Sequence, residues 1–225
     1  AVEEGRVIFD NLRRVIMFLL TTNLGEILTI IVALAVGMPL PLTAIMILWV
    51  NLVTDGVSVV PLGLEPKHSD MLSRPPRPPA EGVLTGRFFR RILLLAPVIA
   101  AGTLGVYWWT WTSALQAGAS NELAELHAQT MAFVTLVSFE WMRAFSTRSL
   151  TESVFTMNPF SNRLLLGGIG IGVLLQIMAV YWGPAQTVFD TMAISAVEWG
   201  IALAVGSTVI FADELIKVYA RRTGR

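Results

Sequence analysis

The 225-residue chain has no cysteine, which excludes a disulfide framework and a thiolate metal site and leaves the redox compartment unread. Charge is scarce as well: 14% of residues are charged, against about 25% in ordinary soluble domains, and 54% are hydrophobic. That balance excludes a typical soluble domain and puts the membrane first. Histidine occurs only at His68 and His127, both outside the apolar runs. Both are expected to be solvated loop residues, and copper or zinc would lack its usual ligands. Internal repeats, low-complexity tracts and a signal-peptide pattern are absent too. The opening "AVEEGRVIFDNLRR" is charged, amphipathic and without an initial Met, so the chain is expected to be a piece of something longer.

What is present is a series of six apolar runs, Val15–Val36, Leu42–Leu64, Phe88–Thr112, Ala128–Phe145, Leu164–Trp182 and Val197–Tyr219. Each is near the roughly 20 residues that an α-helix needs to cross about 30 Å of hydrocarbon. The sixteen Lys and Arg are sorted against these runs. They fall before the first, between the second and third, between the fourth and fifth or at their ends, and after the last, whereas "GMPLPL", 113–127 and "GPAQTVFDTMAIS" have none. By the positive-inside rule both termini are cytoplasmic. The expected fold is therefore all-α, a polytopic membrane bundle of six transmembrane helices forming one domain over residues 1–225, with a cytoplasmic loop at 65–87. That loop holds Pro75, Pro76, Pro78 and Pro79 and reads as a stiff extended strap that spaces the helices or docks on another cytoplasmic domain. The partner is the lipid bilayer; basic residues spread over several loops as membrane anchors argue against nucleic acid.

Three of the runs are not cleanly apolar. In "TTNLGEIL", Asn23 and Glu26 lie three apart; in "WVNLVTDG", Asn51, Thr54 and Asp55 are spaced i, i+3 and i+4. Each set falls on one helix face. Glu26 and Asp55 each lie on the order of 15 Å below the cytoplasmic boundary, counted from the run ends at 1.5 Å per residue. The short "GMPLPL" turn makes the two helices antiparallel, so the polar faces converge near the midplane. A carboxylate at that depth costs roughly 2.5–3.5 kcal/mol unless compensated. No Lys or Arg lies at that depth, which leaves a bound cation or a proton as the partner of the acids. Interhelical hydrogen bonding alone would account for the amide and hydroxyl groups. Carboxylate, amide and hydroxyl oxygens suit a hard cation such as calcium. A third acid, Glu140, lies in "LVSFEWMRAF", with Arg143 three residues on and able to pair with it on the same face. Gly56 and Pro61 are expected to weaken the helix just past Asp55 and free backbone carbonyls for an ion. Gly25, beside Glu26, permits close helix approach.

In order and spacing, "EEGRVIFDNLRR", "TTNLGEI", "ILWVNLVTDG", "PLGLEP" and "RPPRPP" resemble the C-terminal membrane half of calcium-transporting P-type ATPases of the sarco/endoplasmic reticulum type and their bacterial relatives. The resemblance covers essentially the whole chain; the last two spans match in hydropathy and in "DELIK". It implies that the spans are helices five to ten of a ten-helix pump, and that Asn23, Glu26, Asn51, Thr54, Asp55 and Glu140 are its calcium ligands, with Asp55 bridging two ions. It also implies that the first four membrane helices and the cytoplasmic domains, which handle ATP and magnesium, are further partners. For a bacterial member it implies the plasma membrane. No "DKTG" phosphorylation motif, nucleotide domain or actuator domain occurs in these residues, so this stretch alone is not expected to hydrolyse ATP. Arg143 stands where the reticulum-type pumps carry a small polar residue, and the acids of the loop are thinned to Asp70. The competing readings are a manganese or sodium pump of the same architecture, a secondary cation/proton antiporter, and a membrane scaffold that transports nothing.

Overall fold

The computed structural model describes residues 2–66 and 82–223. The remainder, including His68, Asp70 and the four prolines of the strap, lies outside the described residues. The described residues form helices and no strand: α1 (Val2–Ala35), α2 (Ala44–Trp49), a π-helical turn (Val50–Thr54), α3 (Asp55–Gly63), α4 (Gly86–Gln116), α5 (Asn121–Thr147), α6 (Arg163–Tyr181), α7 (Gly183–Phe189) and α8 (Ala196–Thr223). Side chains chosen for capping mark where they start. Thr43, Thr85, Ser120 and Asn162 accept from the backbone N–H three residues on, at the heads of α2, α4, α5 and α6. Each satisfies one amide that the helix itself cannot. Glycines at positive φ, Gly37 and Gly118, close α1 and α4, with paired bonds such as Met38 N–H to Ala33 O that satisfy the last carbonyls.

Four of these stretches are long and apolar enough to cross a membrane: Glu3–Ala35, Ala44–Gly63, Gly86–Gln116 and Arg163–Tyr181. The sequence reading expects two more, matching α5 and α8. Their apolar runs are interrupted by Glu140 and Arg143 and by Asp213, Glu214 and Lys217. The fold explains where that charge goes. α5 is the axis of the bundle, packed against α4 and α8 along its length and touching α1, α3 and α6. From Thr130 to Trp141 every residue of it is buried. A helix so enclosed can carry charge because its neighbours, and not lipid, surround it.

The second run is continuous only in part. Between α2 and α3 the chain winds more widely, and Asp55 N–H bonds to Val50 O, five residues back. A single π-turn inside an α-helix is a local feature often found at functional sites. The expected weakening after Asp55 is thus misplaced: the irregular winding precedes Asp55, and Gly56 sits in regular helix. Pro61 lacks the N–H that would bond to Val57 O, four residues back. That freed carbonyl lies against α6, where a Cβ on Gly168 would come within 2.2 Å of it. It therefore serves helix packing between α3 and α6.

Candidate cation site

α1 and the π-turn bring the first two motifs together. Asn51 Nδ2 donates to Glu26 Oε2 at 2.7 Å and to Ile47 O at 3.0 Å. The first bond crosses between the helices, as the converging polar faces predict. Glu26 and Asp55 are 4% and 2% exposed, and Glu140, from α5, is fully enclosed. Thr54 is buried, Asn23 is half-buried, and Asn51 is exposed at one edge of the group. Glu140 lies close enough to feel the charge of both Asp55 and Glu26, and Asp55 that of Glu26. Three acids from three helices thus lie near one another inside the bundle.

Their oxygens are poorly satisfied. Glu26 Oε1, Asp55 Oδ1, both carboxylate oxygens of Glu140 and Asn23 Oδ1 are buried with no hydrogen-bond donor. Each orphaned acceptor carries a desolvation cost of about 1–3 kcal/mol, more when charged. Three hydroxyls of α1 are spoken for: Thr21, Thr22 and Thr29 donate to carbonyls of their own helix, four residues back, whereas the buried Ser58 Oγ of α3 has no partner. Gly25 earns its place beside Glu26, since a Cβ there would meet the Ile99 side chain of α4 at 2.9 Å. The carboxylates are not drawn into a ready-made cage; among the described residues no three His, Asp or Glu side chains are grouped as metal ligands would be. Amide and hydroxyl oxygens would have to complete any coordination shell.

Arg143 does not neutralise Glu140. Its guanidinium turns the other way, 3.6 Å from Asp213 of α8 and 3.1 Å from Ser146 Oγ. Asp213 is itself clamped by Arg91 of α4, whose Nε and Nη2 donate to it at 2.7 Å each, and by Lys217 Nζ at 3.4 Å. Lys217 also pairs with Glu214 at 3.0 Å. This second charged group, one turn from Glu140, was hidden from the sequence reading except for the i, i+4 spacing of Asp213 and Lys217 in "DELIK". A third polar group was missed altogether. Glu65, just past α3, is held by Arg148 of the α5 end at 2.9 Å and by Asn162 of the α6 cap at 2.6 Å. Asn11 of α1 donates to Gly63 O and Glu65 O nearby. Glu65, the first residue after α3 and its cap, thus ties α1, α3, α5 and α6 together. His127 is no solvated loop residue: it stands on α5 and pairs with Glu198 of α8 at 2.6 Å, because the helix begins six residues before it.

A helical bundle with four helices long and apolar enough to cross a membrane, and with three buried acids whose oxygens lack donors, has the groups that a bound cation would need. The comparisons give the family. Residues 39–219 match the family model "Cation transporting ATPase, C-terminus", and the chain belongs to that family. It is 36% identical over 211 residues, 94% of its length, to the "Calcium-transporting ATPase" of Bacillus subtilis (strain 168). It is 35% identical over 225 residues to "Calcium-transporting ATPase 1" of Bacillus cereus (strain ATCC 10987 / NRS 248). The chain spans about a quarter of the length of these curated relatives, 23% and 25% respectively.

Proposed function

We propose that this chain is the ion-carrying membrane part of an ATP-driven calcium pump, with six transmembrane helices and both termini at the cytoplasmic face. The single observation that carries the reading is the set of donorless oxygens of Glu26, Asp55 and Glu140 gathered inside the bundle. A divalent cation among them satisfies the oxygens at once, and calcium takes 6–8 oxygen ligands in flexible geometry. Asn23, Asn51 and Thr54 supply the neutral oxygens. Asn51 would turn its amide, so that the oxygen and not the nitrogen meets the ion. The wide π-turn at Val50–Thr54 carries Asn51 and Thr54 and leads directly into Asp55, placing three of the proposed ligands on one irregular segment. ATP and magnesium belong to cytoplasmic parts of the whole pump, and for a bacterial chain the membrane is the plasma membrane.

The test uses the whole pump in lipid. Asp55→Asn removes the charge with little change of shape, and calcium-dependent ATP hydrolysis should fall to the calcium-free background. Retention of the calcium response by a folded Asp55→Asn pump sinks the site. Uptake driven by a pH gradient without ATP would instead favour an antiporter, and activation by manganese or sodium in place of calcium would reassign the ion.

A further inference from the structure

At the end of the bundle where α4 begins and α8 ends, a cleft of about 730 Å³ opens between α1, α4 and α8. Five of its walls are cationic side chains, Arg13, Arg87, Arg90, Arg91 and Lys217, and no acidic residue lines it. Arg87, Arg90 and Arg91 fall at i, i+3 and i+4, one face of α4. The inner two cations are already engaged: Arg91 donates to Asp213 and to Leu150 O, and Lys217 to Ser146 O and Glu214. Behind the cleft, however, three buried cations, Arg91, Arg143 and Lys217, face two acids, Asp213 and Glu214. The buried group therefore leaves positive charge over, and the outer pair, Arg87 and Arg90, is exposed.

We propose that this cleft binds a phosphate-bearing anion, presented by the headgroup of an anionic phospholipid or as free phosphate. The guanidinium fork matches phosphate oxygens in pairs, which an ammonium does not. Met17, Phe88 and Ile216 add apolar wall beside the charge, the combination that a headgroup with its glycerol and upper chains requires. Basic pockets between membrane helices at the level of the headgroups bind such lipids. None of the five cations belongs to the cation site, so the inference does not depend on which ion the pump carries.

The whole pump, reconstituted in nanodiscs of phosphatidylcholine with a minor share of phosphatidylglycerol, provides the test. Native mass spectrometry reads how strongly phosphatidylglycerol is retained over phosphatidylcholine. Arg87→Gln with Arg90→Gln, both at exposed positions, should lower that preference about fivefold per arginine, at the usual worth of a basic residue near an anionic surface. Arg163→Gln, an exposed basic residue at the start of α6, should leave it unchanged. A second arm uses phosphatidylcholine alone: a rise in melting temperature on adding inorganic phosphate, lost in the double variant, assigns the site to the free anion. Equal lipid preference in wild type and double variant with no phosphate effect overturns the proposal, as does an Arg163→Gln loss of the same size.

Discussion

On the proposed reading, neutralising Asp213 should change how the whole protein responds to calcium, although Asp213 lies outside the proposed ligand set. In Asp213→Asn the carboxylate that holds Arg143 at 3.6 Å, and Arg91 through two bonds of 2.7 Å, loses its charge. Three buried cations then share Glu214 alone. Arg143 lies three residues from Glu140 on the same face of α5, and Glu140 has two oxygens with no donor. The guanidinium is expected to swing to it. Two unit charges about 4 Å apart attract by about 4 kcal/mol at an effective dielectric of 20. Allowing half of that for reorganising the side chain leaves about 2 kcal/mol, which is more than tenfold in affinity. The assay is calcium-dependent ATP hydrolysis of the purified whole pump over a range of free calcium. Half-activation should move to at least tenfold higher calcium in Asp213→Asn and return toward wild type in Asp213→Asn with Arg143→Met, since the second change removes the competing cation. Loss of folding is monitored by melting temperature, because removing one partner of a buried ion pair costs about 3–5 kcal/mol. A folded Asp213→Asn pump with unchanged half-activation would falsify the reasoning, and so would a double variant as impaired as the single. Asp55→Asn separates this failure from that of the site itself, for it should abolish the calcium response outright.

Two further predictions concern the scaffold. Arg148→Ala leaves Glu65 buried beside Asn162 without its cation, and Glu65→Gln keeps one acceptor for two donors, Arg148 Nε and Asn162 Nδ2, so each variant should cost the whole protein about 3–5 kcal/mol of stability; an unchanged melting temperature in either variant would contradict the buried pair. Gly168→Ala pushes a methyl group against Val57 O and should cost about 1–3 kcal/mol through forced separation of α3 and α6, read as a drop in melting temperature. A neutral outcome would mean that the two helices are not packed as closely as described.

Much of this arrangement was legible because lipid makes polar residues conspicuous. Asn23, Glu26, Asn51, Thr54 and Asp55 stood out against apolar runs, and a short turn required their helices to be neighbours, so the convergence of faces that the Asn51–Glu26 bond joins followed from spacing. The π-turn was not legible, because winding depends on a hydrogen-bond shift of one residue that side-chain periodicity does not register. The partner of Arg143 stayed open for a related reason. Its nearest acid in sequence, Glu140, lost to one seventy residues away that only the packing of α5 on α8 brings close. The same holds for Glu65, whose partners come from α5 and α6. Pairings within a helix can be counted from the sequence; pairings between helices must wait for the bundle.

The enclosure of α5 also constrains the order in which the chain can be assembled. Alone in lipid, α5 would expose Glu140 and Arg143, and α8 would expose Asp213, Glu214 and Lys217, at roughly 2.5–3.5 kcal/mol for each group held near the bilayer centre. Together with α4, which brings Arg91, they set Arg143 and Lys217 against Asp213, while Glu140 is enclosed without a donor. These segments are thus poor candidates for sequential, independent release from the insertion machinery. α5 has to wait in a sheltered place until α8, made after it, arrives with the acid that pairs with Arg143.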